Sequence, residues 1–218
     1  ACIRLMEIEA KFAIDDDRLW AKYRKCVRIG AYRLGAARVY SIVDEYLDTS
    51  EQHIRRAGFH LRVRSRGGER RVTIKSTQSM QMCFSVREEI EFPLHGDAED
   101  VSNWVNREAA ALMAPLLRGN ALRPSVQLRQ QRAERPVLRG GHTLATMGLD
   151  AVQVWHAGAL LDDFRVLEFE LVRAADMNVL DEISAVLAKD GLKPGPVAKL
   201  NRALAAVEVA RKGTRDVA

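Results

Sequence analysis

Five segments of this chain put full charges on one face of a strand and apolar residues on the other. In an extended chain, residues i, i+2 and i+4 share a face. Glu7, Glu9 and Lys11 therefore oppose Ile8 and Phe12. Arg62 and Arg64 oppose Val63, while Thr73 and Lys75 oppose Val72 and Ile74. Arg87, Glu89 and Glu91 oppose Ile90 and Phe92, and Glu168 and Glu170 oppose Leu167, Phe169 and Leu171. A half-buried antiparallel sheet with a solvated outer face would also show one polar side. Two details weigh against that plain reading. Like charges recur at i, i+2 (Glu7/Glu9, Arg62/Arg64, Glu89/Glu91, Glu168/Glu170), and Lys11 and Lys75 fall on these faces although only 8 of the 34 basic residues are Lys.

Closing such a sheet with its charged faces inward makes an inside-out barrel. Its lumen is wet, and its hydrophobic core lies between the wall and covering helices. Carboxylates gathered inside repel one another unless cations compensate. Hard divalent ions such as Mg²⁺ or Mn²⁺ suit carboxylate oxygens. Arg and Lys suit phosphate oxygens. A lumen offering both fits a polyanionic phosphate taken up as its metal complex.

The rest of the chain supplies strands and cover. A strand is expected over 3–14 and a helix near 16–29, begun by Asp15-Asp16-Asp17 and ended by Gly30. Residues 37–48 read as extended, and 50–57 as a short helix capped by Thr49. Segments 59–66 and 70–77 flank Gly67-Gly68 as a hairpin, followed by a strand at 84–94. A helical insertion covers 97–118, with Val101, Trp104, Val105, Leu112, Leu116 and Leu117 broadly on one side. Strands follow at 125–139, 143–156 and 160–172, then helices at about 175–190 and 196–211, separated by Pro194-Gly195-Pro196. The economical organisation is one α+β domain over 1–212 with a tail at 213–218: an eight-stranded antiparallel β-barrel, or tunnel, with a charged lumen and helices packed outside. Helices, or a second copy of the chain in a homodimer, would cover the apolar outer wall.

Composition excludes several classes. The 218 residues are 47% hydrophobic and 29% charged, with net charge +5, ordinary for a globular protein. No run approaches the ~18 apolar residues of a membrane span. The first residues carry charge too early for a signal peptide. Cys2, Cys26 and Cys83 form no CxxC pair, so neither a zinc ribbon nor a disulfide scaffold is supported, and a reducing cytoplasm is the simplest home. The five His show no metal-ligand spacing. The Arg-rich stretch 62–71 reads as a solvated hairpin tip without an aromatic platform, so no nucleic-acid partner is expected. Gly191 to Pro196 lack P-loop spacing.

The ordered motifs resemble those of the CYTH domain, the triphosphate tunnel metalloenzymes. Glu7-Ile8-Glu9-Ala10-Lys11 matches the ExExK signature. Tyr46-Leu47-Asp48-Thr49, Leu61-Arg62-Val63-Arg64, Val72-Thr73-Ile74-Lys75 and Arg87-Glu88-Glu89-Ile90-Glu91 are similar to its next four elements. Leu149-Asp150, Leu167-Glu168-Phe169-Glu170 and Lys199-Leu200-Asn201-Arg202 are similar to its last three. The insertion and the final helices resemble the longer bacterial branch, which includes inorganic triphosphatases. Members of that branch often carry a C-terminal CHAD domain, so this chain is either free-standing or part of a longer parent with such a domain.

The resemblance implies metal-dependent hydrolysis of a triphosphate, most simply inorganic tripolyphosphate to pyrophosphate and phosphate, with Mg²⁺ or Mn²⁺. It implies metal ligation by Glu7, Glu9, Glu168 and Glu170. Glu89, Glu91 and Asp150 would hold a second ion or orient the attacking water. Lys11, Arg62, Arg64, Lys75, Arg87, Arg129, Lys199 and Arg202 would grip substrate. One departure stands out. The strand after the insertion usually carries two basic residues at alternate positions, and here Arg129 takes the first while Gln131 takes the second. Arg132 would then face outward unless a bulge re-aims it. The alternatives are an adenylate cyclase of the same fold and a non-catalytic polyphosphate-binding module.

Overall fold

The computed structural model describes residues 3–77, 79–81, 84–195 and 198–215. Cys2 and Cys83 lie outside them, as does Pro196. In chain order the elements are β1 (Ile3–Ala13), α1 (Asp17–Lys25), β2 (Arg28–Ile29), β3 (Tyr32–Leu34), β4 (Arg38–Asp48) and α2 (His53–Arg56). Next come β5 (Phe59–Arg66), β6 (Glu69–Ser76), β7 (Ser79–Gln81), β8 (Phe84–Pro93) and α3 (Arg107–Leu117). The chain finishes with β9 (Arg123–Arg139), β10 (His142–His156), β11 (Ala159–Leu171), α4 (Met177–Ala188) and α5 (Lys199–Arg215).

Antiparallel pairing runs β10-β11-β1-β8-β6-β5-β4-β9, and β9 pairs back onto β10, which closes an eight-stranded barrel. The register sets the alternation. Glu7 lies opposite Arg87, Glu9 opposite Glu170, and Lys11 opposite Glu168. Arg62 lies opposite Thr73, which lies opposite Glu91. Paired residues share a face, so the five charged rows meet in the lumen, as the alternation requires.

The outward faces are covered in two places. Ile8, Ala10, Phe12, Leu149, Leu167 and Phe169 pack under α1, α4 and the β2–β3 hairpin. Leu61, Val63, Val72, Ile74, Ile90 and Phe92 pack under α2, α3 and the loop carrying Trp104. Side-chain hydrogen bonds fasten the first layer: Tyr32 Oη donates to Glu182 at 2.7 Å, and Lys22 Nζ to Asp190 at 2.6 Å. A third cluster is different. Val126, Leu128, Val152, Val154, Phe164 and Val166 are inward-facing in the register, and Leu200, Ala203 and Val207 of α5 pack on them. α5 thus lies across one mouth of the tunnel.

Several local expectations change. The helix expected over 16–29 stops at Lys25, because Ile29, Tyr32 and Leu34 bury together as a hairpin. Gly30, at φ +56°, makes that hairpin's turn and is not a helix end. The insertion at 97–118 is a 3-10 turn, Val101–Asn103, followed by α3, which Asn106 caps by accepting from Ala109 N at 3.0 Å. Trp104 is buried against Phe92, with ring centroids 5.3 Å apart, but Val105 is exposed and leaves the apolar side. α5 runs to Arg215, past the expected end near 211.

Candidate active site in the tunnel

The lumen encloses a cavity of about 670 Å³. Among the expected residues, Glu7, Glu9, Lys11, Arg62, Arg64, Lys75, Arg87, Glu89, Glu91, Glu168, Glu170 and Lys199 line it. Acids and bases occur in near-equal number, and most neutralise one another. Lys75 Nζ lies 2.8 Å from Glu7 and 2.9 Å from Glu89, and Arg87 bridges Glu7 and Glu9. Lys11 Nζ is 2.6 Å from Glu9 and 3.6 Å from Glu168. Arg71 Nε is 2.6 Å from Glu91.

Burial penalises charge here, and the partners outweigh it. Burial alone would raise Glu7, yet Lys75 and Arg87 hold its carboxyl well below the usual range. Lys199, Lys11 and Arg132 do the same for Glu168. Lys11 moves up against its burial because of Glu9 and Glu168. Glu170 behaves oppositely. It has no ion pair among the described residues, and burial together with the charges of Glu7 and Glu9 pushes it up to about 7. Its side chain meets the water of the lumen while protein encloses it on most sides.

Three expected site residues are placed elsewhere. Arg129 does not line the tunnel: its guanidinium stacks outside on the Trp155 ring at 4.3 Å, and Nε donates to Gln127 at 2.8 Å. Arg202 also lies outside the lumen, paired with Asp162 at 2.7 Å and stacked on Phe164. Asp150 is fully buried and accepts from Arg132 and Lys199, at 2.7 and 2.5 Å. It anchors those two bases and offers no open face to an ion or a water.

Arg132 takes the inward place expected of Arg129, and no bulge on β9 is needed. On β9 the inward set is Val126, Leu128, Gln130 and Arg132, because the apolar pair lies under α5. Arg132 forks onto Asp150 and also pairs with Glu168. Gly148 makes room for it: a Cβ there would lie 3.2 Å from Arg132 Cζ.

Further lumen residues carried no signal in the motif reading. Asp44 on β4 is 1% exposed. It accepts a fork from Arg64 at 2.7 and 2.8 Å, Gln130 Nε2 at 2.6 Å, and Arg62 Nη1 at 3.5 Å. Its parity with Tyr46 was the available clue. Asp48 is structural: its carboxylate accepts from Thr49 N, Ile54 N and Arg55 N at 2.7, 3.0 and 3.1 Å, which builds the α2 turn. Thr49, the expected cap, adds one bond from His53 N at 3.0 Å. That turn carries Arg55 to the lumen. His60 lines the cavity too, and burial with Arg87 and Arg55 pushes it down to about 4.

An eight-stranded tunnel lined by carboxylates and guanidinium groups defines a class, and comparison with known proteins agrees. The CYTH domain family matches residues 5–193, and the chain belongs to that family. No curated protein matches the sequence. Among solved structures, a candidate adenylate cyclase of Bacillus halodurans superposes with TM-score 0.62 at 15% identity, over 91% of this chain and 97% of that one. A candidate adenylyl cyclase from Hippeastrum, described as having a dominant triphosphatase activity, gives 0.56 at 14% identity, over 90% and 94%. The PH1819 protein of Pyrococcus horikoshii gives 0.50 at 18% identity, over 83% and 89%. At these identities the likeness is one of fold. No helix among the described residues is long and apolar enough to cross a membrane.

Proposed function

We propose that this chain hydrolyses a phosphoanhydride bond of a triphosphate, with inorganic tripolyphosphate as the substrate that the tunnel alone accommodates. Pyrophosphate and phosphate are the products. One observation carries the reading: Glu170, without a basic partner and raised to about 7, shares the lumen with a wall of Lys and Arg. Such a site has acids that want a cation and bases that want an anion.

Among the described residues, no three His, Cys, Asp or Glu groups already converge as a metal site. The reason is visible in the ion pairs, since Lys75, Arg87 and Lys11 hold Glu7 and Glu9. An incoming triphosphate competes for those bases and releases the carboxylates. The donor set then fits a hard divalent ion, Mg²⁺ or Mn²⁺, held by Glu7, Glu9, Glu168 and Glu170. Bound there, such an ion supplies Lewis acidity and neutralises phosphate charge. Lys11, Arg62, Arg64, Lys75, Arg87 and Arg132 orient the phosphates and offset charge as it shifts to the leaving group. Glu89 and Glu91 stand beside the lumen to orient water and accept its proton.

The test is phosphate release from tripolyphosphate with and without Mg²⁺ or Mn²⁺, using Glu9→Gln as control. Metal-dependent release reduced at least 100-fold in the variant is expected. Equal activity in Glu9→Gln sinks the assignment. Cyclic AMP formed from ATP in a parallel tube would point to the cyclase, and binding without turnover to a passive module.

A further inference from the structure

The lumen is not the same at its two ends. At one end Glu7, Glu89, Glu168 and Glu170 also line a neighbouring cavity of about 310 Å³ that opens past Met6 and Val172. At the other, under α5, Tyr46, Arg55, His60 and Leu200 line both the lumen and a separate annex of about 300 Å³. That volume is at the lower bound for small-molecule pockets. The two spaces share walls but differ in chemistry.

The annex has an apolar body. Phe59, Pro124, Leu204 and Val207 face it from β5, β9 and α5. It has no free carboxylate at its junction with the lumen, because Asp48 is occupied by three backbone N–H groups. His60, at the junction, is neutral and so offers one donor and one acceptor, without charge. Arg55 and Arg123 line the space with guanidinium groups that have no ion pair or hydrogen bond among the described residues. A divalent ion has nothing to hold it there. An uncharged ring system with hydrogen-bonding edges does, and guanidinium planes stack on such rings.

From this polarity we infer that the annex binds the nucleoside end of a nucleoside triphosphate whose phosphates occupy the lumen. The inference rests on the proposed triphosphatase reading and extends its substrate class beyond inorganic tripolyphosphate. It also fixes direction. With the nucleoside under α5, the α-phosphate lies nearest Arg55 and the γ-phosphate nearest the acidic end. The water oxygen bonds to the γ-phosphorus, and the bond from that phosphorus to the β–γ bridging oxygen breaks. The electron pair leaves on the diphosphate, and the water's proton passes to a lumen carboxylate and then to solvent. The products are a nucleoside diphosphate and phosphate, with no cyclic nucleotide.

The experiment compares ATP and tripolyphosphate hydrolysis by the whole chain and by two variants that fill the annex, Ser50→Trp and Leu204→Trp. Ser50 is an exposed rim residue and Leu204 a half-buried one on α5, and neither lines the lumen. Each variant should lower kcat/KM for ATP at least tenfold and leave tripolyphosphate within twofold, with ADP and phosphate as products. Should either tryptophan unfold the chain, Arg123→Glu at the exposed rim gives the same comparison. Tripolyphosphate cleaved without ATP overturns the annex and leaves the triphosphatase standing, whereas cleavage of neither overturns both. Equal losses on both substrates, or losses confined to longer polyphosphate chains, also overturn it.

Discussion

Asp44→Asn tests whether one buried carboxylate sets the phosphate grip. Asp44 is closed to solvent and serves two guanidinium groups and an amide. The variant keeps the shape and removes the charge. Arg64, whose side chain is 19% exposed, can turn toward lumen water. Arg62, at 10%, cannot, and it keeps only Thr73 Oγ1 at 3.2 Å. Breaking one side of a buried pair costs about 3–5 kcal/mol, and with Arg64 partly rescued by water the lower figure, about 3 kcal/mol, is expected. For a domain of this size that is a fall in Tm of roughly 6–12 °C. The sign with pH follows from Asp44 being held well below the usual carboxylate range by Arg62 and Arg64, which outweigh its burial. Such a group stabilises the fold above its unfolded value, about 3.9, and loses that contribution only as pH falls through its folded value. The gap between wild type and variant should therefore hold from pH 8 to about 4 and close only in stronger acid. Inorganic phosphate should raise the variant's Tm more than the wild type's, because an anion replaces the missing charge. Urea unfolding and thermal melts read all three effects. A loss under about 1 kcal/mol, or equal rescue by phosphate, would refute the reasoning.

Gly148→Ala should lower kcat/KM for tripolyphosphate about tenfold with circular dichroism unchanged, since its Cβ would crowd Arg132 at 3.2 Å and push it off Asp150 and Glu168. Arg129→Ala, on the outer wall, should leave phosphate release within twofold and stability within about 0.5 kcal/mol. Arg132→Ala should cost at least 100-fold in the same assay, because it strips the lumen of a base that pairs with both Asp150 and Glu168. Asp48→Ala should destabilise by about 2 kcal/mol in urea, having orphaned three amide N–H groups.

Where charge and apolar residues alternate cleanly, the barrel was legible in the sequence. On β1, β8 and β11 the charged positions carry full charges and the other face is solidly apolar, so parity alone sorted lumen from wall. The long strands were also visible, because each spans the barrel and has a turn glycine at its end, as Gly67-Gly68 and Gly140-Gly141 do at positive φ. Short elements were not. The β2–β3 hairpin hides inside a stretch with helical composition, and only the packing of Ile29, Tyr32 and Leu34 against α4 reveals it.

β9 shows why the site was only partly legible. The rule that apolar means outward holds wherever helices cover the wall, and it fails where a helix covers the mouth. Val126 and Leu128 are apolar and inward because α5 lies on them. Two residues further along the same face come Gln130 and then Arg132, so the parity that seemed to send Arg132 outward instead sends it into the tunnel. Read by alternation from Val126, with no motif imposed, β9 offers the lumen one amide and one guanidinium at alternate positions. The amide is not idle, since Gln130 Nε2 donates to Asp44 at 2.6 Å and helps fix the carboxylate that holds Arg64. A tunnel of this kind thus selects its inner residues by what closes each end, and a sequence pattern can assign them only once the closing helix has been placed.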